Sequence, residues 1–265
     1  MILKMIVIQV NWIKDTMTSL YITGAGVSKQ SGIPTFRGED GFWTIGSVNY
    51  TPQEMATRQM YCQQPDEFLL WYYKRFAAYR KVLPNSAHYW LSDKRLITQN
   101  IDGLDGKAGN QNYIPIHGRL DKVTLFRNQN QPMQLLGAPW DEVAELQIES
   151  ADNYRLKRAL LETFKISQST RQPELDVSLK PFILLFDEYY TDLFRMNEAE
   201  RWMMEADKMV FIGTSFSVNI TSIALRMGLQ NGARIEIVDP EPVDLGVSSI
   251  IYNLLTVEEY ISNLS

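Results

Sequence analysis

Two short blocks of polar residues have types and spacing that could do chemistry. Gln99, Asn100 and Asp102 follow an apolar run at 95–98, and His117 follows another at 113–116. Because open parallel sheets bind ligands at the carboxyl ends of their strands, we expect these side chains to lie there. A buried amide or carboxylate is costly without partners, and a ribose and a carboxamide are suitable partners.

His117 is a candidate general base. Histidine titrates near neutral pH, so its imidazole can accept a proton from a sugar hydroxyl. A lone histidine at the end of a strand is more often a polar residue with its hydrogen bonds satisfied by the fold. The neighbouring polar block and the glycine-rich stretch described next favour catalysis.

A glycine-rich stretch follows the first predicted strand. The apolar run 19–23 leads into residues 24–43, which read GAGVSKQSGIPTFRGEDGFW. Without a Cβ at Gly24 and Gly26, backbone N–H groups can close on a pyrophosphate at a helix N-terminus. The next glycine, Gly32, comes too late for the dinucleotide fingerprint G-x-G-x-x-G. Glycine spacing alone is therefore weak evidence for a nucleotide site.

Composition excludes several other functions. The chain has 265 residues, 45% hydrophobic and 22% charged, with a net charge of −5. The net negative charge does not indicate a basic surface that would bind nucleic acid. No apolar run reaches the roughly 20 residues that a membrane-spanning helix needs. Cys62 is the only cysteine, so neither a thiolate zinc site nor an intrachain disulfide is expected. These features predict a cytoplasmic protein. Residues 1–16 are apolar, but no signal-peptide cleavage site follows them, so we do not expect a signal peptide. Their role is left open.

The elements that must position these residues are predicted from the apolar periodicity. The pattern predicts a Rossmann-like, mostly parallel α/β sheet with helices on both faces. Strands are predicted at 19–23, 95–98, 113–116, 180–186, 209–212 and 234–238, and helices near 51, at 66–82, from 84–86 to before 95, at 152–164 and at 197–206. We expect a single catalytic domain, with its core at about 17–35, 84–118 and 180–265. Two insertions, about 36–83 and 119–179, are expected to form a smaller helical lobe. His88, on a predicted helix, is expected to be structural.

Taken together, the motifs resemble those of the sirtuins, the NAD-dependent protein deacylases. The matching blocks are GAG, Ser28 and SGIPTFRG in the glycine-rich stretch, TQNIDGL at 98–104 followed by Ala108 and Gly109, His117-Gly118, and GTSFSV at 213–218. They occur in the family's order, and the resemblance covers about residues 20–239.

The resemblance implies an enzyme that consumes NAD as a co-substrate. The acyl oxygen of an acylated lysine attacks the anomeric carbon as nicotinamide leaves, and His117 then deprotonates a ribose hydroxyl. Asn100 and Asp102 are implied to be catalytic with His117, and Phe36 is implied to shield the reacting face. The implied cofactor-binding residues are Gly24, Ala25, Gly26, Ser28, Thr35, Phe36, Arg37, Gln99, Asn100, Asp102, Gly213, Thr214, Ser215 and Asp239. Asp239 either holds ribose hydroxyls or opens a plain turn.

Three residues are implied to bind the acylated substrate. Tyr72 and Arg75 form a Tyr-x-x-Arg pair that, with Ala56 and the GFW sequence, resembles class III sirtuins, which remove succinyl and malonyl groups. A guanidinium binds a carboxylate bidentately and a phenol adds a hydrogen bond, although such a pair can also arise by accident on an aromatic-rich helix. Phe186 lies in the segment that resembles the family's peptide-binding loop.

Several departures leave the activity open. The family's zinc-binding cysteine pairs are missing from 119–179, so no metal is expected, and Asp187 replaces a glycine of the peptide-binding loop. Asp105 stands where the family has histidine, and Asn219-Ile220 replaces the usual Val-x-Pro ending. A lysine deacylase that removes acetyl, succinyl or malonyl groups is the favoured hypothesis. The alternatives are an NAD glycohydrolase or ADP-ribosyltransferase, and a non-catalytic module that binds NAD or ADP-ribose.

Overall fold

The computed structural model describes residues 17–35, 50–128 and 134–264. Phe36 and Arg37, two of the predicted cofactor-binding residues, lie outside this part of the chain. No helix in the described part is long and apolar enough to cross a membrane.

The described strands form two sheets. The strands are β1 (Ser19–Thr23), β2 (Leu96–Thr98), β3 (Ile114–Pro115), β4 (Gly118–Leu125), β5 (Leu136–Gly137), β6 (Leu179–Ile183), β7 (Lys208–Ile212), β8 (Arg234–Val238) and β9 (Ile251–Asn253). The larger sheet has the order β3-β2-β1-β7-β8-β9, and every pair in it is parallel. The Rossmann-like prediction is therefore confirmed. The second sheet, β5-β4-β6, is antiparallel.

Helices cover the larger sheet and build most of the small lobe. They are α1 (Pro52–Met55), α2 (Arg58–Gln63), α3 (Pro65–Arg75), α4 (Ser86–Trp90), α5 (Leu104–Lys107), α6 (Trp140–Glu145), α7 (Asn153–Thr163), α8 (Met196–Glu205), α9 (Asn219–Gln230) and α10 (Val257–Ser262). Thr51 caps α1 through a capping box at the position where the sequence predicted a helix.

The helix predicted at 66–82 is shorter in the structure. α3 ends at Arg75 and is followed by a single 3-10 turn at Ala77–Tyr79. Side chains satisfy the carbonyls beyond it: Lys107 donates to the carbonyls of Arg80 and Val82, at 2.7 and 3.2 Å. Because these carbonyls have partners outside a helix, the helix gains little by continuing.

The strand predicted at 180–186 does not join the parallel sheet. As β6 it pairs antiparallel with β4, with Gly118 opposite Ile183 and Leu125 opposite Leu179. The small lobe is thus not purely helical, and its sheet begins at the residue after His117. The connectivity accounts for this, because only Ile116 and His117 separate β3 from β4, which turns away from the parallel sheet and has β5 on one edge and β6 on the other.

Apolar packing holds the small lobe together. Trp140, Tyr61, Phe68 and Phe164 are almost completely buried in one cluster, and the Trp140 indole N–H donates to the carbonyl of Leu120 at 2.7 Å. α7, which corresponds to the helix predicted at 152–164, buries Leu156, Leu160 and Leu161. A hydrophobic core of this size stabilises the lobe by burying apolar area.

Candidate active site

Four strand ends meet at one edge of the parallel sheet. Thr23 of β1 lies opposite Thr98 of β2 and Ile212 of β7, and Thr98 lies opposite Pro115 of β3. The segments that follow these strands carry the glycine-rich stretch, the Gln-Asn-x-Asp block, His117 and the Gly213 loop. The register therefore brings together the motifs that the sequence placed far apart.

The Gln99 and Asn100 amides are buried at this edge. Gln99 Nε2 donates to the Thr23 carbonyl at 3.0 Å and to Thr214 Oγ1 at 3.1 Å. Asn100 Nδ2 donates to the Gly24 carbonyl and to Ser28 Oγ, each at 3.1 Å. Asn100 Oδ1 is buried and has no hydrogen-bond partner among the described residues. It is an acceptor that a ligand N–H or O–H would satisfy.

Asp102 is fixed from two sides. The Ser28 hydroxyl donates to Asp102 Oδ2 at 2.7 Å, and the Leu104 N–H donates to Oδ1 at 2.9 Å. His88 is fully buried with Nε2 3.4 Å from Ser28 Oγ, and it also forms a capping box with Asn85 at the start of α4. The structural role expected for His88 is thus accompanied by a contact with the site. No sequence pattern indicated this contact, since the two residues are 60 positions apart.

His117 is held as a neutral base. Its Nδ1 lies 3.0 Å from the Gln99 carbonyl oxygen, which can only accept, so Nδ1 carries the proton and Nε2 has the free lone pair. Burial lowers the pKa of His117 to about 4. Nε2 lies 2.9 Å from Tyr190 Oη, a contact that the sequence did not predict.

The glycines at 24 and 26 have a packing role in this structure, and their predicted role in binding the cofactor stays a prediction. Their N–H groups donate to the carbonyls of Ile212 and Gly213, each at 3.0 Å, so in this structure they are not directed at a phosphate. An added Cβ would lie 2.7 Å from the Gly213 oxygen at Gly24 and 2.6 Å from Gly213 Cα at Gly26. These glycines are needed because two loops pack backbone against backbone.

Four further residues are predicted to bind the cofactor: Ala25, Thr35, Ser215 and Asp239. Ala25 begins a 3-10 helix at Ala25–Ser31, and Thr35 is the last described residue before 36–49. Ser215 Oγ lies 2.7 Å from Ser217 Oγ. Asp239 Oδ1 accepts from the Glu241 N–H at 2.9 Å, which is the turn role that the sequence left open. Its ribose role stays a prediction.

Tyr72 and Arg75 lie in the last turn of α3. The Tyr72 ring is buried between Phe68 and Phe76, with centroids 4.7 and 5.3 Å away, and burial raises its pKa well above the usual range. The Arg75 guanidinium lies over the Trp71 ring at 5.7 Å, and burial lowers its pKa. These contacts show core packing for Tyr72, and the carboxylate site stays a prediction.

The loop that carries Phe186 is tied to the small lobe. The Phe186 N–H donates to the Ala56 carbonyl at 3.0 Å, while about half of the Phe186 side chain is exposed. The Asp187 carboxylate accepts from the N–H groups of Arg58 and Gln59, at 2.6 and 3.0 Å. The aspartate that replaces the family's glycine therefore caps α2.

No group of three or more His, Cys, Asp or Glu side chains in the described part of the chain could hold a metal ion. The absence of a zinc requirement stays a prediction.

Asp105 is a buried carboxyl group behind the site. It is 3% exposed, and its Oδ1 has no hydrogen-bond partner among the described residues. Burial and the nearby charge of Asp102 raise its pKa to about 7. Asp105 is thus largely protonated below neutral pH, in contrast to an exposed aspartate.

Asp105→Asn is expected to stabilise the protein at alkaline pH. The folded state binds more protons than the unfolded state between pH values of about 4 and 7, so the wild-type free energy of unfolding falls across that range. The amide carries no charge, so the variant should be about 2–4 kcal/mol more stable at pH 8 and nearly unchanged at pH 4. Urea denaturation at both pH values measures this difference, with Glu145→Gln on the surface as the control. An equal effect at both pH values would contradict the assignment.

The parallel sheet and the polar groups gathered at its carboxyl edge define a Rossmann-like protein with a nucleotide-type site. The chain belongs to the Sir2 family, whose model matches residues 24–220. It is 30% identical over 238 residues to NAD-dependent protein deacylase 1 of Caldanaerobacter subterraneus subsp. tengcongensis, a match that covers 86% of this chain and 84% of that protein. It is 32% identical over 224 residues to NAD-dependent protein deacylase 1 of Archaeoglobus fulgidus, with 82% and 79% covered.

Solved structures agree with this assignment. A crystal structure of a Sir2 homologue in complex with NAD superposes with a TM-score of 0.68 at 27% identity, covering 93% of this chain and 87% of that chain. A mutant Sir2 homologue in complex with ADP-ribose superposes with a TM-score of 0.69 at 26% identity, covering 93% and 90%.

Proposed function

We propose that this protein is an NAD-dependent lysine deacylase that transfers the acyl group to ADP-ribose and releases nicotinamide. Membership of the Sir2 family and the relatives named as NAD-dependent protein deacylases support this function. The observation that carries it is the His117 imidazole, which is kept neutral and bonded through Nδ1 to the Gln99 carbonyl beside the unsatisfied Asn100 Oδ1.

The residues at the sheet edge fit NAD. Bound NAD supplies an electrophilic anomeric carbon with nicotinamide as its leaving group. Asn100 Oδ1 offers an acceptor that its carboxamide or ribose would satisfy, and Gln99 and Asp102 are held next to it. We assign the nicotinamide ribose and carboxamide to these three residues. The loops of Ser28 and Gly213–Ser215 are assigned to the rest of the cofactor.

His117 acts as general base in this proposal. A base must be unprotonated, and burial keeps the imidazole neutral at physiological pH. When Nε2 takes a proton, the Nδ1–H bond to the Gln99 carbonyl stabilises the resulting imidazolium. The protein therefore needs no carboxylate behind the histidine.

The function is tested by incubating the protein with NAD and with acetyl-, succinyl- and malonyl-lysine peptides in the presence of a chelator. Nicotinamide and deacylated peptide are quantified together by mass spectrometry. Equal amounts of both products would establish the deacylase, and activity in the chelator would support independence from zinc. Nicotinamide without deacylated peptide would overturn it.

An NAD glycohydrolase or ADP-ribosyltransferase is the second candidate. The observation that favours it lies on the peptide side, where Asp187 is committed to capping α2 and the Phe186 N–H to the Ala56 carbonyl. A backbone N–H that is already bonded does not pair with a peptide strand. The assay above separates the two candidates. A module that only binds NAD or ADP-ribose would have no need of a histidine base that is kept neutral.

The cytoplasmic location stays a prediction.

Arg75→Met is expected to abolish any preference for acidic acyl groups. If the guanidinium binds the acyl carboxylate, its loss should lower kcat/KM for succinyl-lysine about 10- to 100-fold and leave acetyl-lysine nearly unchanged. The matched control is Lys74→Met, because the Lys74 ammonium is occupied by the Ser150 carbonyl and Asn153 at the start of α7. An equal loss for both peptides would assign Arg75 to packing.

A further inference from the structure

The base nitrogen of His117 faces a phenol in this structure. Nδ1 donates to the Gln99 carbonyl, so Nε2 can only accept, and Tyr190 Oη at 2.9 Å must be the donor. The two rings are tilted by 31° with centroids 5.9 Å apart, so the contact is made edge to edge through the hydroxyl group. A substrate hydroxyl group can therefore give its proton to Nε2 in one of two ways. Either Tyr190 moves aside, or the Tyr190 hydroxyl group passes the proton on.

Tyr190 is itself anchored. The backbone N–H of Ile220, in the first turn of α9, is near the phenol and offsets part of the pKa rise that burial causes. The ring packs against the apolar cluster that includes Phe216 and Val218. Moving the phenol away would break its bond to Nε2 and lose this apolar packing. These contacts favour a phenol that stays in place.

Burial and backbone contacts set the protonation of this pair. Burial raises the pKa of Tyr190 to about 12, so the phenol stays protonated at neutral pH. Among the described residues, no charged side chain contributes to the pKa shift of either group, since burial dominates both and the backbone at Gln99 and Ile220 supplies the rest. A change in the His117 pKa on removal of the hydroxyl group therefore reports the contact itself.

We propose that Tyr190 relays the proton from the substrate hydroxyl to His117. The hydroxyl O–H bond breaks as its proton moves to Tyr190 Oη, and the phenol proton moves to Nε2 in the same step. Tyr190 ends neutral, His117 ends as the imidazolium, and the oxygen becomes the nucleophile. This step rests on the proposed function, because it uses the hydroxyl that His117 is assigned to deprotonate.

The first test uses Tyr190→Phe without NAD. The chain has two histidines, so NMR titration resolves His117 from His88, with His117→Ala for assignment. Loss of a hydrogen bond to the neutral imidazole should raise the His117 pKa by up to about one pH unit and leave that of His88 unchanged. Tyr189→Phe, on a neighbouring ring that is 76% exposed, is the control. An unchanged His117 pKa would overturn the contact and the relay with it.

The second test is kinetic. Tyr190→Phe should lower kcat for nicotinamide release coupled to deacylation about 10- to 100-fold, with KM for NAD within about twofold. The acidic limb of the pH–kcat profile should shift upward with the His117 pKa, which a purely structural defect would not cause. If the wild type is active and the Tyr190→Phe variant is equally active, the relay is overturned but the proposed function is not. A wild type that does not turn over NAD would overturn the proposed function, and the relay with it.

Discussion

His117→Ala is expected to lower turnover by about 10²- to 10⁴-fold while NAD still binds. The imidazole is the group assigned to accept the proton, and its two described hydrogen bonds go to the Gln99 carbonyl and to Tyr190 rather than to the Asn100 and Ser28 cluster. Removing it therefore leaves the other polar groups of the sheet edge in place. Calorimetry gives the dissociation constant for NAD, and single-turnover release of nicotinamide and deacylated peptide gives the rate.

Two outcomes would contradict this assignment. Full residual turnover would show that His117 is not the base. Loss of NAD binding together with turnover would assign His117 to holding the sheet edge. Asn85→Asp is a suitable control, because Asn85 contacts His88 and caps α4 without contacting His117.

Gly118→Ala is expected to cost more than about 4 kcal/mol of folding free energy or to prevent folding. Gly118 has φ +84°, and an added Cβ would lie 2.1 Å from the Phe182 carbonyl oxygen and 2.9 Å from its carbon. Both are backbone atoms of β6, so the clash cannot be relieved by a side-chain rotation. Either β4 separates from β6 or the backbone takes up the strain.

Urea denaturation and the soluble yield measure this effect. Gly137→Ala, in β5 of the same sheet, is the matched control, because nothing lies within 4 Å of its added Cβ. The control should remain within about 1 kcal/mol of the wild type. A Gly118→Ala variant as stable as the control would show that the two strands are not in the register described.

Much of the parallel sheet could be predicted because its strands are short apolar runs. Buried parallel strands are apolar on both faces, so β1 and β7 stand out without alternation, whereas β8 is marked by Ile235, Ile237 and Val238 around the charged Glu236. The positions of Gln99, Asn100 and His117 followed, since each comes directly after such a run. Their approach to one another is a consequence of strand order.

The second sheet could not be predicted in the same way. β4 has an irregular register with β6 between Arg119 and Val123, so its buried residues do not alternate. A strand with a broken period looks like a loop in sequence. Its partner β6 leads into the apolar run 182–186, and the sequence therefore predicted a strand of the parallel sheet there.

Side-chain contacts over long sequence distances were also out of reach. Tyr190 is 73 residues from His117, and Asp187 gains its role only because α2 begins where its carboxylate lies. Both depend on how the loop after β6 returns toward the parallel sheet. Residue types alone contain no information about that path.

The position of His117 between β3 and β4 has a mechanical consequence. One residue before it the chain is still in contact with the parallel sheet, through the Ile116 N–H to the Thr98 carbonyl, and one residue after it β4 begins in the other sheet. The Leu184 N–H also bonds to the His117 carbonyl from the small-lobe side. The backbone on the two sides of His117 is thus held by two different sheets. A displacement of one sheet relative to the other would therefore change the direction of Nε2.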